Sequence, residues 1–250
     1  MTHFVLVHGA FHGGWCWEPV ATLLTEAGHT VVAPDLPGAG DDDTPLEEVT
    51  LASAAERVVQ TLRSLEGPAV LVGHSMGGVV ITQAAAQAPE LVSRLVYLTA
   101  FRPVHGESLL DLTGLPEGAG DGVQANITVA GEPPVATFDA TKAQHVFYHD
   151  VPADAAQRAT ERLDPQPLAV FATPVDIEGA ELPPQEYVMC TEDRAIAPAL
   201  QRLMAERSPA RVHELPAGHS PFYSHTAEVV QVLLGEMDGT SKATAVSSTA

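Results

Sequence analysis

The chain has 250 residues, of which 45% are hydrophobic but only 5% aromatic, and a formal net charge of −20 at pH 7. That length suits one α/β domain with room for an insertion, on a core that must be mostly Val, Leu and Ala. So acidic a chain would repel the phosphates of nucleic acid and gain nothing from the charge of an anionic membrane, so neither is expected as a partner.

The first apolar run, FVLV at 4–7, reads as a strand. Only Met1-Thr2-His3 precedes it, with neither the basic region nor the apolar stretch of a signal peptide. No run along the chain reaches membrane-spanning length, so a cytoplasmic protein is expected. A helix follows over 17–27, with Gly28 as its stop. TVVAPD (30–35) is the next strand, and a Gly/Asp/Pro loop leads to a helix over 50–67 with Thr50 as its N-cap. Ala69 to Val72 is a short buried strand bounded by Gly67-Pro68 and Gly73. Met76 to Ala88 is a helix of small and aliphatic residues that ends before Pro89, and LVYLTA (95–100) is the fourth strand.

The rhythm breaks over 102–184, which is rich in Gly, Pro and Asp, carries scattered aromatics and has one helical stretch at 153–163. It reads as an inserted cap. Strand EYVMC (186–190), a helix over 198–207, strand RVHELP (211–216) and a helix over 226–237 complete the pattern. Aliphatic strands alternating with helices indicate an α/β fold: a mostly parallel sheet of about six strands covered on both faces. The core is then 1–101 with 185–237, the cap 102–184, and the small polar residues 238–250 read as a disordered tail.

One stretch carries chemistry. Gly73-His74-Ser75-Met76-Gly77 fits G-x-S-x-G and spans a strand-to-helix turn, the nucleophile elbow. So sharp a turn forces backbones together, and a missing Cβ leaves the room. It lifts the Ser75 hydroxyl to a helix N-terminus, where free N–H groups favour negative charge. The alternative is a serine that merely caps the helix.

A nucleophilic serine needs a base, and the base an orienting acid. Catalytic groups in open α/β sheets gather at strand carboxyl ends, and two such ends follow the elbow. One runs into Thr191-Glu192-Asp193, the other into Ala217-Gly218-His219-Ser220. The chain order Ser, acid, His is that of α/β-hydrolases. His219 is the candidate base and Asp193 the candidate acid. Glu192 competes locally, Asp164 and Asp176 more weakly, and Glu192 and Asp193 could instead cap the next helix. The oxyanion donors would be the N–H of Met76 and one from the loop HGAFHGGW (8–15): Ala10 first, Phe11 second. That loop lacks the spacing of a phosphate-binding motif. Cys16 and Cys190 form no disulfide framework and read as packed residues. The eleven histidines show no zinc-type spacing, so no metal or other cofactor is expected.

With these motifs the chain resembles the α/β-hydrolase superfamily, and within it the branch of plant methylesterases, hydroxynitrile lyases and related bacterial esterases. The likeness runs over most of the chain through FVLVHGAFHGGWCW, AGHTVVAPDLPGAG, LVGHSMGG, LVYLTAF, YVMCTEDRAI and AGHSPF, and more loosely through 145–168. It implies a shortened sheet of about six strands, Asp193 rather than Glu192 as the acid, and a homodimer. It also points to His12 and Phe101 as pocket residues, and after them to the cap aromatics Phe138, Phe147 and Tyr148, each of which could equally be core; Gly9 and Phe11 of the oxyanion loop are expected beside them. Hydroxynitrile lyases of this branch carry a threonine in the oxyanion loop and a lysine after the catalytic histidine; here those positions hold Gly9 and Ser220. The resemblance therefore implies an esterase of small or medium carboxylic esters acting through an acyl-enzyme on Ser75. The same triad could serve a transfer, a lactone-forming or cyclising reaction or a cofactor-free oxygenation, and some proteins of this fold only bind ligands.

Overall fold

The computed structural model describes residues 1–207, 210–237 and 240–241. Six parallel strands form the main sheet: β1 (His3–Val7), β2 (Thr30–Val32), β3 (Ala69–Ser75), β4 (Val92–Ala100), β8 (Gln185–Cys190) and β9 (Ala210–Leu215). Their spatial order is β9-β8-β4-β3-β1-β2. The chain goes outward from β1 to β2, then returns to place β3 on the other side of β1. Such a reversal opens a crevice at the strand carboxyl ends, here between β1 and β3. β2 is shorter than the strand expected over 30–35, and β4 starts three residues earlier than expected. The two-residue β10 (Thr240–Ser241) adds an antiparallel edge to β9. Those two residues belong to the stretch read as a disordered tail, and the rest of 238–250 lies outside the described residues.

Alternation along the strands sends successive side chains to opposite faces, and both faces are buried. Phe4, Leu6, Val70, Val72, Val96, Leu98 and Val188 join one core, against Trp17, Val20 and Leu24 and against Val229 and Val232. Val20 and Leu24 lie on the first helix, α1 (Glu18–Glu26), and Trp17 just before it, while Val229 and Val232 lie on α10 (Thr226–Leu234), which follows the short α9 (Pro221–Ser224). Val5, Val7, Leu71, Leu95, Tyr97, Tyr187 and Met189 face the other core, with α2 (Leu51–Arg63), α3 (Gly77–Gln87) and α8 (Pro198–Glu206). The capping signals read locally are present. Thr50 Oγ1 accepts the Ser53 N–H at 3.0 Å while Ser53 Oγ accepts the Thr50 N–H at 2.9 Å. Gly28 follows α1 with φ +85°, a left-handed conformation that stops a helix. Cys16 and Cys190 are both free and buried, and burial pushes both thiols well up.

Between β4 and β8 the chain leaves the sheet and builds a layer over its carboxyl end. It holds short helices α4 (Leu109–Thr113), α5 (Ala140–Val146), α6 (Ala153–Thr160) and α7 (Leu168–Ala172). A small antiparallel sheet of β5 (Ile127–Ala130), β6 (Val135–Phe138) and β7 (Gln166–Pro167) lies among them. That sheet was not legible in the sequence: its strands run two to four residues, too short for a period to show. Among the described residues no helix is long and apolar enough to cross a membrane.

Candidate active site

β3 ends on Ser75, whose φ of +53° is rare for a residue with a side chain. The glycines around it are there for contact. A Cβ on Gly73 would lie 2.7 Å from the Gly77 carbonyl, and one on Gly77 would lie 2.7 Å from the carbonyls of Val7 and His8. The turn is thus wedged between α3 and β1. Ser75 is not a helix cap, because α3 is preceded by Met76 and has no side-chain cap. The loop after β1 presses on the same point, since a Cβ on Gly9 would meet Ser75 Cβ at 2.7 Å.

That loop is also strained and pinned. Phe11 has φ +64°, and its carbonyl accepts the Asp164 N–H at 2.9 Å. The His12 ring bonds the Ala10 carbonyl through Nδ1 at 2.8 Å and the Tyr148 hydroxyl through Nε2 at 2.7 Å. The carbonyl can only accept, so Nδ1 carries the proton and Tyr148 donates to Nε2. Burial holds His12 neutral, with its pKa down to about 3, and the neighbouring His219 and His8 push the same way. The N–H groups of Ala10 and Met76 donate to no protein acceptor among the described residues.

Asp193 and His219, from the loops after β8 and β9, meet beside the elbow. His219 Nδ1 lies 2.8 Å from Asp193 Oδ2, and both side chains are almost fully buried. Nδ1 faces a carboxylate and carries the proton, so Nε2 is left as an acceptor. Thr99 Oγ1 and Gln201 Nε2 donate to the same Oδ2, Gln201 at 3.1 Å. Oδ1 accepts the N–H groups of Ala195 at 2.7 Å and Ile196 at 3.0 Å. Asp193 does not cap the helix that follows, as the alternative reading had it, since α8 is preceded by Ala197 and has no side-chain cap; its Oδ1 instead holds the turn between β8 and that helix. The histidine loop is tied down as well. His74, next to Ser75, donates from Nε2 to the His219 carbonyl at 2.8 Å. Asp150 accepts the Gly218 N–H at 2.7 Å and the Ser224 hydroxyl at 2.8 Å. Gly218 allows that approach, since a Cβ there would lie 2.5 Å from Asp150 Oδ1. The competing acids are elsewhere. Glu192 is exposed, Asp164 Oδ2 accepts the Gly40 N–H at 2.8 Å, and Asp176 is 86% exposed beside His105.

A cavity opens over Ser75. Of the expected lining residues it includes Phe11, Phe101 and Phe147, and the expected oxyanion donors Ala10 and Met76 line it as well. Gly9, His12, Phe138 and Tyr148 stand behind this wall: Gly9 packs on Ser75, His12 and Tyr148 bond each other, and the Phe138 ring lies tilted against Phe11 and Phe147. Sequence reasoning missed Leu109, Thr113, Asp121, Ile127, Phe171 and Ile196, which also line the cavity. All but Ile196 lie in the stretch without periodicity. Thr99, Gln201, His74 and Asp150 were missed too. Only His74 had a signal, its place inside the elbow. Among the described residues no group of three or more His, Cys, Asp or Glu is arranged to hold a metal ion.

The comparisons with known proteins agree with this architecture. Residues 4–232 match the model of the alpha/beta hydrolase family, and the chain belongs to that family. It is 34% identical to methylesterase 18 of Arabidopsis thaliana, over 93% of this chain and 95% of that one. It is 30% identical to the pyrethroid hydrolase of Sphingobium wenxiniae, over 93% and 86%. The crystal structure of a pyrethroid hydrolase from Sphingobium faniae superposes with a TM-score of 0.86 at 29% identity, covering 94% of this chain and 96% of that one. Such relatives support a carboxylic ester hydrolase of the α/β-hydrolase type.

Proposed function

We propose that the chain hydrolyses a small or medium carboxylic ester through an acyl-enzyme on Ser75. The observation that carries this reading is the strained Ser75, set at the floor of an apolar cavity with the buried Asp193–His219 pair tied beside it. His219 Nε2 takes the Ser75 proton as Oγ attacks the ester carbonyl, and Asp193 stabilises the imidazolium that forms. The N–H groups of Ala10 and Met76 hold the oxyanion. His219 then protonates the departing alkoxide, the acyl-enzyme remains, and a water activated by His219 releases the acid and restores Ser75. Residues 102–184 act as the cap that shapes the pocket and excludes water. The apolar wall suits an ester without charge near the carbonyl.

The test is hydrolysis of a panel of aryl and methyl esters by wild type, Ser75→Ala and His219→Ala. The variants should lose about 10⁴-fold or more in kcat with thermal stability retained. Equal activity in wild type and Ser75→Ala would remove Ser75 from the mechanism.

A further inference from the structure

The wall of the cavity over Ser75 is mostly carbon, and Asp121 is its one charged residue. Asp121 is 8% exposed. Its Oδ1 accepts the N–H groups of Val123 at 2.7 Å and Gln124 at 3.0 Å, which starts the single helical turn at Gln124–Asn126. Oδ2 has no hydrogen bond among the described residues. It is not sealed in either: unlike Asp150 Oδ1, it is absent from the fully buried side-chain atoms left without a partner, so it keeps open surface. Among the described residues no Lys or Arg forms an ion pair with it. Gln124 turns its amide to the Thr113 carbonyl at 3.3 Å, and Arg194, one strand end away, bonds His145 at 3.0 Å. Burial pushes the Asp121 carboxyl up, and the two backbone bonds oppose that push.

A buried carboxylate with one empty acceptor is costly unless something fills it. The turn does not need the second oxygen, because a serine or asparagine would cap it without a charge. We propose that Asp121 Oδ2 is the polar anchor of the pocket and accepts a hydrogen bond from a hydroxyl group on the substrate. The preferred class is then a hydroxylated ester rather than a wholly apolar one. This rests on the ester-hydrolase reading of Ser75. A neutral hydroxyl fits better than an ammonium. Asp121 and His219 influence each other electrostatically, so a cation held at Asp121 would oppose the imidazolium that catalysis forms on His219.

The experiment uses phenyl esters of short hydroxyalkanoic acids, with the hydroxyl at successive positions, each paired with its methyl ether. kcat/KM is measured for wild type, Asp121→Asn and Asp121→Ser, and binding of the same esters to Ser75→Ala and to Ser75→Ala/Asp121→Asn by calorimetry. Wild type should favour at least one hydroxy ester over its ether by about ten-fold or more, the scale of a hydrogen bond to a charged group. Asp121→Asn keeps an acceptor for the Val123 and Gln124 N–H groups but turns an NH₂ to the cavity. Its preference should fall to parity or reverse toward the ether, and Asp121→Ser should lose the preference. Serine-dependent hydrolysis with no hydroxyl preference, or a preference unchanged in both variants, would overturn the assignment and leave the esterase reading standing. If no ester is hydrolysed, yet Ser75→Ala binds hydroxy esters better and Asp121→Asn abolishes this, the anchor stands and the hydrolytic reading fails.

Discussion

Two regions meet at Ser75, and they are built on different principles. Below lies the sheet with α2, α3, α8 and α10, where side chains alternate between two cores and every catalytic candidate stands at a strand end. Above lies 102–184, with helices of five to eight residues and strands of two to four. The lower region fixes a few atoms to a hydrogen-bonded frame. The upper one supplies most of the cavity wall. On the proposed function, this division assigns reaction type to the lower region and most of the substrate choice to the upper one. Substitutions below should lower kcat on every ester, and those above should reorder esters.

The sharpest way to break that division is Asp193→Asn. The side chain keeps its shape, but its amide can favour the wrong His219 tautomer. kcat should fall about 10³–10⁴-fold on all esters alike, with KM little changed. A loss confined to some esters would mean that Asp193 serves the pocket. Next comes Thr99→Val, which removes one donor to Asp193 Oδ2 and leaves Gln201 and His219 in place. Thr99 also sits at φ +37°, so the fold holds a strained threonine where it can reach the acid. A drop of about ten-fold in kcat, uniform across esters, is expected. Above the elbow, Leu110→Ala opens the cavity wall at a residue that is 40% exposed, so the fold should tolerate it. It should change the ratio of kcat/KM between bulky and small esters by up to about ten-fold, while the kcat of the best ester holds.

Stability gives an independent contrast. His8, His12 and His74 are buried under the elbow and the loop after β1, and burial lowers the pKa of all three, His12 to about 3. The unfolded chain binds protons on these histidines near pH 6.5 while the folded chain does not. Their contribution is therefore fully present above about pH 6.5 and is lost as pH falls toward their folded values. Denaturant unfolding at pH 7, 6 and 5 should show stability falling with acid, by up to about 1.4 kcal/mol per pH unit for each histidine that stays neutral. A flat profile over that range would mean they protonate without cost. The smallest effect is expected from Glu192→Gln. Glu192 is exposed beside Asp193, and activity should change less than about two-fold.

Legibility followed the same division. The six parallel strands, Thr50 as a cap, the stop at Gly28 and the meeting of Asp193 with His219 were all readable. Each depends on near neighbours in sequence or on the rule that puts sites at strand ends. β10 and the sheet of β5, β6 and β7 were not, because pairs of two to four residues leave no period. Phe101 and Phe147, named through resemblance, line the cavity while His12, named with them, does not; Asp121 was one acidic residue in a Gly-rich stretch. Its burial comes from packing between distant segments, which local composition does not record. Thr99 and Gln201 were hidden for another reason: a threonine in a strand and a glutamine on a helix have ordinary explanations until the fold brings both to one carboxylate.

Covalent labelling tests whether Ser75 is the nucleophile. The protein is treated with an aryl fluorophosphonate, which phosphonylates activated serines, and the adduct is located by peptide mass spectrometry. One adduct per chain on Ser75, with Ser75→Ala unlabelled and His219→Ala labelled far more slowly, is the predicted result. Labelling at another residue, or none under conditions where esters are hydrolysed, would remove Ser75 from the nucleophile's place.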